Sequence, residues 1–162
     1  MSIIEMVNNS NVLVLVGAGE NPNFSQRKLM MWTTETNSVF CETSFLYKVE
    51  GVCVNKSKYF PVTYRAHRLV AYVKDKVHIY NSSNMKFLHS LELNSMQGKL
   101  ALSPSSENCY LAYSNSLVKG TVAIFDMNAM SASGVITAHK TSVLKLAINF
   151  YGTLLVTCSG KV

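Results

Sequence analysis

Short apolar runs, many with polar residues at alternate positions, recur between clusters of Asn, Ser, Asp and Gly, and helical periodicity is nearly absent. That pattern predicts β-strands joined by tight turns. The runs also repeat. ALSPSSENCYLAYS at Ala101–Ser114 and AINFYGTLLVTCS at Ala147–Ser159 each pass from an apolar strand through a polar turn into a second apolar strand ending in Ser. Their offset is 46 residues at the start and 45 at the end. A second register comes from the strands LMMWT, VHIYN and VAIFD, which place Trp32, Tyr80 and Phe125 at steps of 48 and 45 residues. Periods of about 40–45 residues built from four short strands are the signature of β-propeller blades.

Four strands per blade give a map of the chain. The first blade takes Ile3–Val7, Asn11–Val16, Lys28–Thr33 and Ser38–Phe45, and the second Val49–Asn55, Leu69–Val73, Lys76–Asn81 and Phe87–Leu93. The third takes Lys99–Ser103, Cys109–Ser114, Gly120–Asp126 and Ser131–Thr137, and a fourth starts at Ala138 and has two strands. The expected fold class is all-β: a single partial propeller over residues 1–162, with blades at 1–46, 47–94 and 95–137 and an incomplete one at 138–162. Closed propellers need about four to eight blades, so three and a half antiparallel blades read as a fragment. An open fan of sheets leaves its end faces uncovered, and low stability in isolation is expected.

Composition changes this picture little. Hydrophobic residues make up 48% of the chain, and the longest apolar run, Val12–Val16, is far short of a bilayer span. No positively charged leader opens the sequence. Cys41, Cys53, Cys109 and Cys158 stand singly in strand segments with no CxxC and no paired His nearby. They give neither a metal site nor a disulfide framework, and small buried residues in a reducing compartment are the expectation. The net charge of +6 favours an anionic partner without naming it. The basic residues are dispersed, with no arginine-rich arm or recognition helix, so no nucleic-acid partner is expected.

Signals for catalysis dissolve on inspection. GAGENP at Gly17–Pro22 follows VLVLV as a dinucleotide fingerprint would, but Pro22 takes the third glycine position. NPNFSQ reads as turn and loop, not as a helix N-terminus that could receive a pyrophosphate. No GxSxG, HExxH or Walker sequence is present, and the nine carboxylates show no catalytic pairing. No enzyme activity and no cofactor are expected. His67, His78, His89 and His139 are isolated in sequence; His78 alternates as a strand surface residue would, and His139 stands at a blade start.

The runs VHIYNSSNMKFLHSLEL, LALSPSSENCYLAYS, GTVAIFDMNAM and ITAHKTSVLKLAINFYGTLLVTCSGK, with LVLVGAGENPNFSQRKLMMW upstream, resemble the PROPPINs. These are the WD-repeat phosphoinositide-binding propellers of autophagy. The resemblance implies a WD40-type propeller of seven blades, about twice this length. It implies a membrane-recruited scaffold that binds phosphatidylinositol 3-phosphate and its 3,5-bisphosphate. Its place would be cytoplasmic, peripheral on autophagosomal precursor, endosomal or vacuolar membranes. The family's lipid motif is a Phe-Arg-Arg-Gly run, whose planar guanidinium forks suit phosphate. The 162 residues contain no such run. The resemblance assigns His139 and Ser159, with Thr157, to part of the first headgroup pocket. It assigns the loop Ala18–Lys28, with Pro22, Arg27 and Lys28, to contacts with the autophagy lipid-transfer protein or other autophagy proteins. Gln26 stands where the family often has proline.

Between Asn55 and Leu69 the chain also carries KSKYFPVTYRAHR where the repeat predicts a short hairpin turn, which marks 57–68 as a possible insertion loop. The missing arginine pair keeps a second function open, a generic WD-repeat interaction scaffold without lipid binding.

Overall fold

The computed structural model describes residues 2–7, 10–55, 67–93, 100–114 and 118–160. Its strands are β1 (Ile3–Met6), β2 (Val12–Val16), β3 (Lys28–Thr33), β4 (Ser38–Ser44), β5 (Val49–Val54), β6 (Arg68–Val73) and β7 (Lys76–Asn81). They continue as β8 (Phe87–Glu92), β9 (Leu100–Leu102), β10 (Tyr110–Ser114), β11 (Thr121–Asp126), β12 (Ser131–Thr137), β13 (Val143–Ile148) and β14 (Leu155–Ser159). The twelve strands expected for the first three blades all appear, with ends differing by at most one residue; the expected Lys99 lies outside the described residues. The sheets run β1-β2-β3-β4, β5-β6-β7-β8, β9-β10-β11-β12 and β13-β14, each in sequence order as propeller blades do.

The chain forms two compact units, Met1–Lys58 with Arg68–Leu91, and Tyr59–His67 with Glu92–Val162. The first unit packs two sheets against each other. Val14, Val16, Leu29 and Met31 from one meet Val52, Val54, Leu69 and Ala71 from the other. Inner strands are apolar on both faces because both faces are covered: β6 is buried from Leu69 through Val73. Each such Leu or Met contributes about 1.5–3 kcal/mol relative to exposure. The edge strand β4 is mostly exposed and more polar. In the second unit Ala112, Val122 and Val143 form a smaller core with Leu146, Ile148 and Leu155 beside it.

The repeat extends to the turns. The residue after each register aromatic accepts a backbone amide two positions on: Thr33 Oγ1 from Glu35 N at 3.3 Å, Asn81 Oδ1 from Ser83 N at 2.9 Å, Asp126 Oδ1 from Asn128 N at 2.8 Å. Five residues beyond the aromatic, Asn37, Met85 and Met130 adopt φ of 53°, 54° and 51°. The polar last residue thus starts each turn, and a left-handed residue closes it.

The 57–68 insertion lies outside the described residues as far as 66. Its base is fixed: Asn55 N donates to Arg68 O at 3.1 Å, and Arg68 N donates to Asn55 Oδ1 at 2.9 Å. The cysteines correct one expectation. Cys109 is buried, Cys41 and Cys53 are half-buried, and Cys158 is exposed. Cys158 and Val156 share the outward face of β14, while Leu155, Thr157 and Ser159 take the other.

Candidate functional site

The chain leaves β12 at Thr137, which stands opposite Thr121 on β11. One rung further, Gly120 O accepts from both Ala138 N at 2.9 Å and His139 N at 3.0 Å. This forked contact ends the ladder and delivers the segment 138–141 to the next sheet. The His139 ring is half-buried, with Nε2 at 2.8 Å from Thr157 Oγ1 on β14. Thr141 Oγ1 donates to Gly160 O at 2.9 Å, tying the other end of the segment to the residue just after that strand.

The expected set is therefore only partly brought together. Ring and hydroxyl meet at Thr157. Ser159 lies two residues on, opposite Val143 in the ladder. A bulge between Val143 and Lys145 sets that register. The imidazole bonds the hydroxyl through one ring nitrogen and keeps a second, and its direction of donation follows the tautomer. The pair offers hydrogen bonds without a fixed charge, while the adjacent Lys140 is exposed.

The loop between β2 and β3 is the second candidate. Its one surprise is a 3₁₀ turn at Pro22–Phe24, where NPNFSQ had read as turn and loop; Asn21 Oδ1 caps it by accepting Asn23 N at 2.9 Å. Three residues are too few for an anion-binding helix terminus. The glycines of GAGENP serve close packing instead. A Cβ on Gly17 would overlap the Phe24 carbonyl, and Gly19 has φ +88° with its N–H on Phe24 O at 3.0 Å. Pro22 and Arg27 are exposed. The Gln26 and Arg27 carbonyls accept Val49 N and Phe45 N, each at 2.8 Å, so the backbone that carries the Arg27 side chain is fixed. Lys28 is engaged differently, in an ion pair with Glu42 at 2.9 Å.

His78 corrects a further expectation. It is no plain surface residue. Its ring lies 5.3 Å from Phe45 and 6.4 Å from Phe87, with Tyr80 next to both. Burial, and then the Lys76 charge, lower its pKa from the ordinary 6.5. Alternation along one strand could not show this, since the covering rings come from distant positions. Among the described residues no group of three His, Cys, Asp or Glu is placed to hold a metal, and no helix is long and apolar enough to cross a membrane.

The comparisons with known proteins agree with this architecture. The chain is 36% identical over 184 residues to autophagy-related protein 18 of Mycosarcoma maydis, covering 99% of this chain and 38% of that protein. It is 34% identical to autophagy-related protein 18 of Yarrowia lipolytica, covering 99% and 43%. The chain thus spans about two-fifths of the length of these curated relatives. A solved complex of KlAtg21 with the coiled-coil of AgAtg16 matches with a TM-score of 0.80 at 20% identity, over 97% of this chain and 48% of that one. Hsv2 of Kluyveromyces marxianus matches with a TM-score of 0.70 at 16% identity, over 96% and 42%. These likenesses identify the fold as that of a partial β-propeller. The PROPPIN family model matches residues 3–162, and the chain belongs to that family.

Proposed function

We propose that this chain is part of an autophagy scaffold that recognises phosphoinositide headgroups at a membrane surface. The observation that carries the reading is the His139–Thr157 pair, a half-buried donor–acceptor couple at the start of a blade. Family membership and the autophagy-related relatives support the same reading. On it, residues 1–162 act as one partial propeller, with His139, Thr157 and Ser159 contributing part of a headgroup pocket. The protein works peripherally on autophagosomal precursor, endosomal or vacuolar membranes from the cytoplasmic side.

The pair supplies hydrogen bonds but no guanidinium fork, and phosphate binding draws most of its strength from charge. These 162 residues therefore bind phosphoinositide weakly or not at all by themselves. Liposome flotation with and without phosphatidylinositol 3-phosphate tests this; strong lipid-dependent flotation overturns it.

A second reading, a WD-repeat protein-interaction scaffold without lipid function, is favoured by the exposed loop at Pro22 and Arg27. One solved PROPPIN-like structure is a complex with a coiled-coil, and autophagy proteins are the partners proposed here. The Phe-Arg-Arg-Gly codons directly downstream in the gene would favour the lipid reading over this one.

A further inference from the structure

We infer that Gly120 is the positioning residue of the His139–Thr157 pair, an inference that rests on the headgroup reading above. Gly120 lies 19 residues before His139, immediately ahead of β11. Its carbonyl holds the amides of Ala138 and His139 together. Its φ is +76°, which L side chains rarely adopt. A Cβ there would stand 1.7 Å from His139 O and 3.0 Å from Thr141 O. Both atoms are backbone and cannot rotate aside. Any side chain at 120 must push out the segment that carries the imidazole, and the ring then leaves Thr157.

The turn that presents Gly120 is itself braced. Thr121 is buried, and its Oγ1 donates to Val118 O at 2.7 Å. Gly134 on β12 provides the contrast, since nothing lies within 4 Å of a Cβ built on it. The two glycines therefore differ in what they do: one leaves space for the backbone that carries His139, and the other leaves space empty.

Ring 15N shifts of His139, read in the full chain at constant pH, report the contact with Thr157 without any ligand. Thr157→Val gives the values for the broken contact. Gly120→Ala is expected to move the His139 shifts to those values, and Gly134→Ala to leave them at the parent's. Parent-like shifts in Gly120→Ala, or an equal displacement in Gly134→Ala, would overturn the inference. Should Gly120→Ala fail to fold, Thr121→Val loosens the same turn without a steric clash. Displaced or broadened His139 signals then support the positioning role, and unchanged ones sink it. Binding of soluble inositol 1,3-bisphosphate, measured in the full-length protein, separates the two ideas. Loss of that binding in Gly120→Ala joins them, whereas a displaced ring beside a full-length parent that never binds the probe keeps the positioning role and removes the headgroup reading.

Discussion

His139 Nε2 lies 2.8 Å from Thr157 Oγ1, across 18 residues of sequence. Thr157→Val preserves the side chain's shape and removes the hydroxyl, leaving a half-buried ring nitrogen without its protein partner. A neutral hydrogen bond of this kind contributes about 0.5–1.5 kcal/mol. Urea unfolding should show a loss of about 1 kcal/mol for Thr157→Val. Ser159→Ala should stay within about 0.5 kcal/mol of the parent. The reverse order would mean that the ring has its working partner at 159.

Asp126 anchors its turn more firmly than its counterparts do. Its Oδ1 accepts Asn128 N at 2.8 Å and Ala129 N at 2.9 Å, whereas Thr33 Oγ1 accepts the single amide of Glu35 at 3.3 Å. Asn128 Nδ2 in turn donates to Glu107 O at 2.8 Å, joining this turn to the loop before β10. Asp126→Ala should therefore cost about 1–2 kcal/mol, and Thr33→Ala about half as much. Equal losses in denaturant unfolding would show that the second amide contributes nothing.

The blade repeat was legible because it is local chemistry. Trp32, Tyr80 and Phe125 face Leu13, Leu69 and Leu111 across the ladder, and each is followed by a polar residue that starts the turn. Sequence spacing carries both signals. The partner of His139 was less legible: Thr157 and Ser159 share one face of β14, and local pattern cannot choose between them. The choice depends on where Gly120 holds the 138–141 segment and on the bulge in β13, both long-range facts. His78 was misread for a similar reason. Its strand alternates correctly, but Phe45, just after β4, and Phe87 of β8 cover that face.

Gly152 is another glycine that the structure requires. It has φ +70°, and a Cβ there would stand 2.3 Å from Asn108 O and 2.6 Å from Ser103 Oγ. The preceding Tyr151 O accepts Asn108 Nδ2 at 2.9 Å, so the turn between β13 and β14 is clipped to the loop before β10. Gly152→Ala should destabilise by about 2 kcal/mol or more, since strain at positive φ and the backbone clash add. Gly134→Ala should be neutral or stabilising by up to about 1 kcal/mol. Thermal unfolding of the two variants checks the contrast, and a harmless Gly152→Ala would refute the close approach.

His78 gives the fold a defined acid sensitivity. Burial lowers its pKa, so the unfolded chain takes up the proton before the folded one. The stability that His78 contributes is complete above its ordinary 6.5 and is lost as pH falls below that value. The loss ends once pH passes beneath the lowered folded-state pKa. His78→Phe retains an aromatic ring among Phe45, Tyr80 and Phe87 and cannot titrate. Urea midpoints measured from pH 7.5 down to 4.5 should fall less steeply for this variant than for the parent; parallel curves would show that other groups carry the acid response.

Arg27 and Lys28 are adjacent but differently engaged. Lys28 is paired with Glu42 across β3 and β4, a surface contact of about 0–1 kcal/mol. Arg27 is exposed on a backbone fixed by its own carbonyl bond to Phe45 N. Reversing its charge should leave the fold intact and change only what approaches the loop. In the full-length protein, Arg27→Glu is expected to cut recovery of an autophagy partner in pull-down by roughly tenfold, the equivalent of about 1.4 kcal/mol. Lys28→Ala should lower recovery less. Unchanged recovery with Arg27→Glu, at equal protein stability, would remove this loop from the interface.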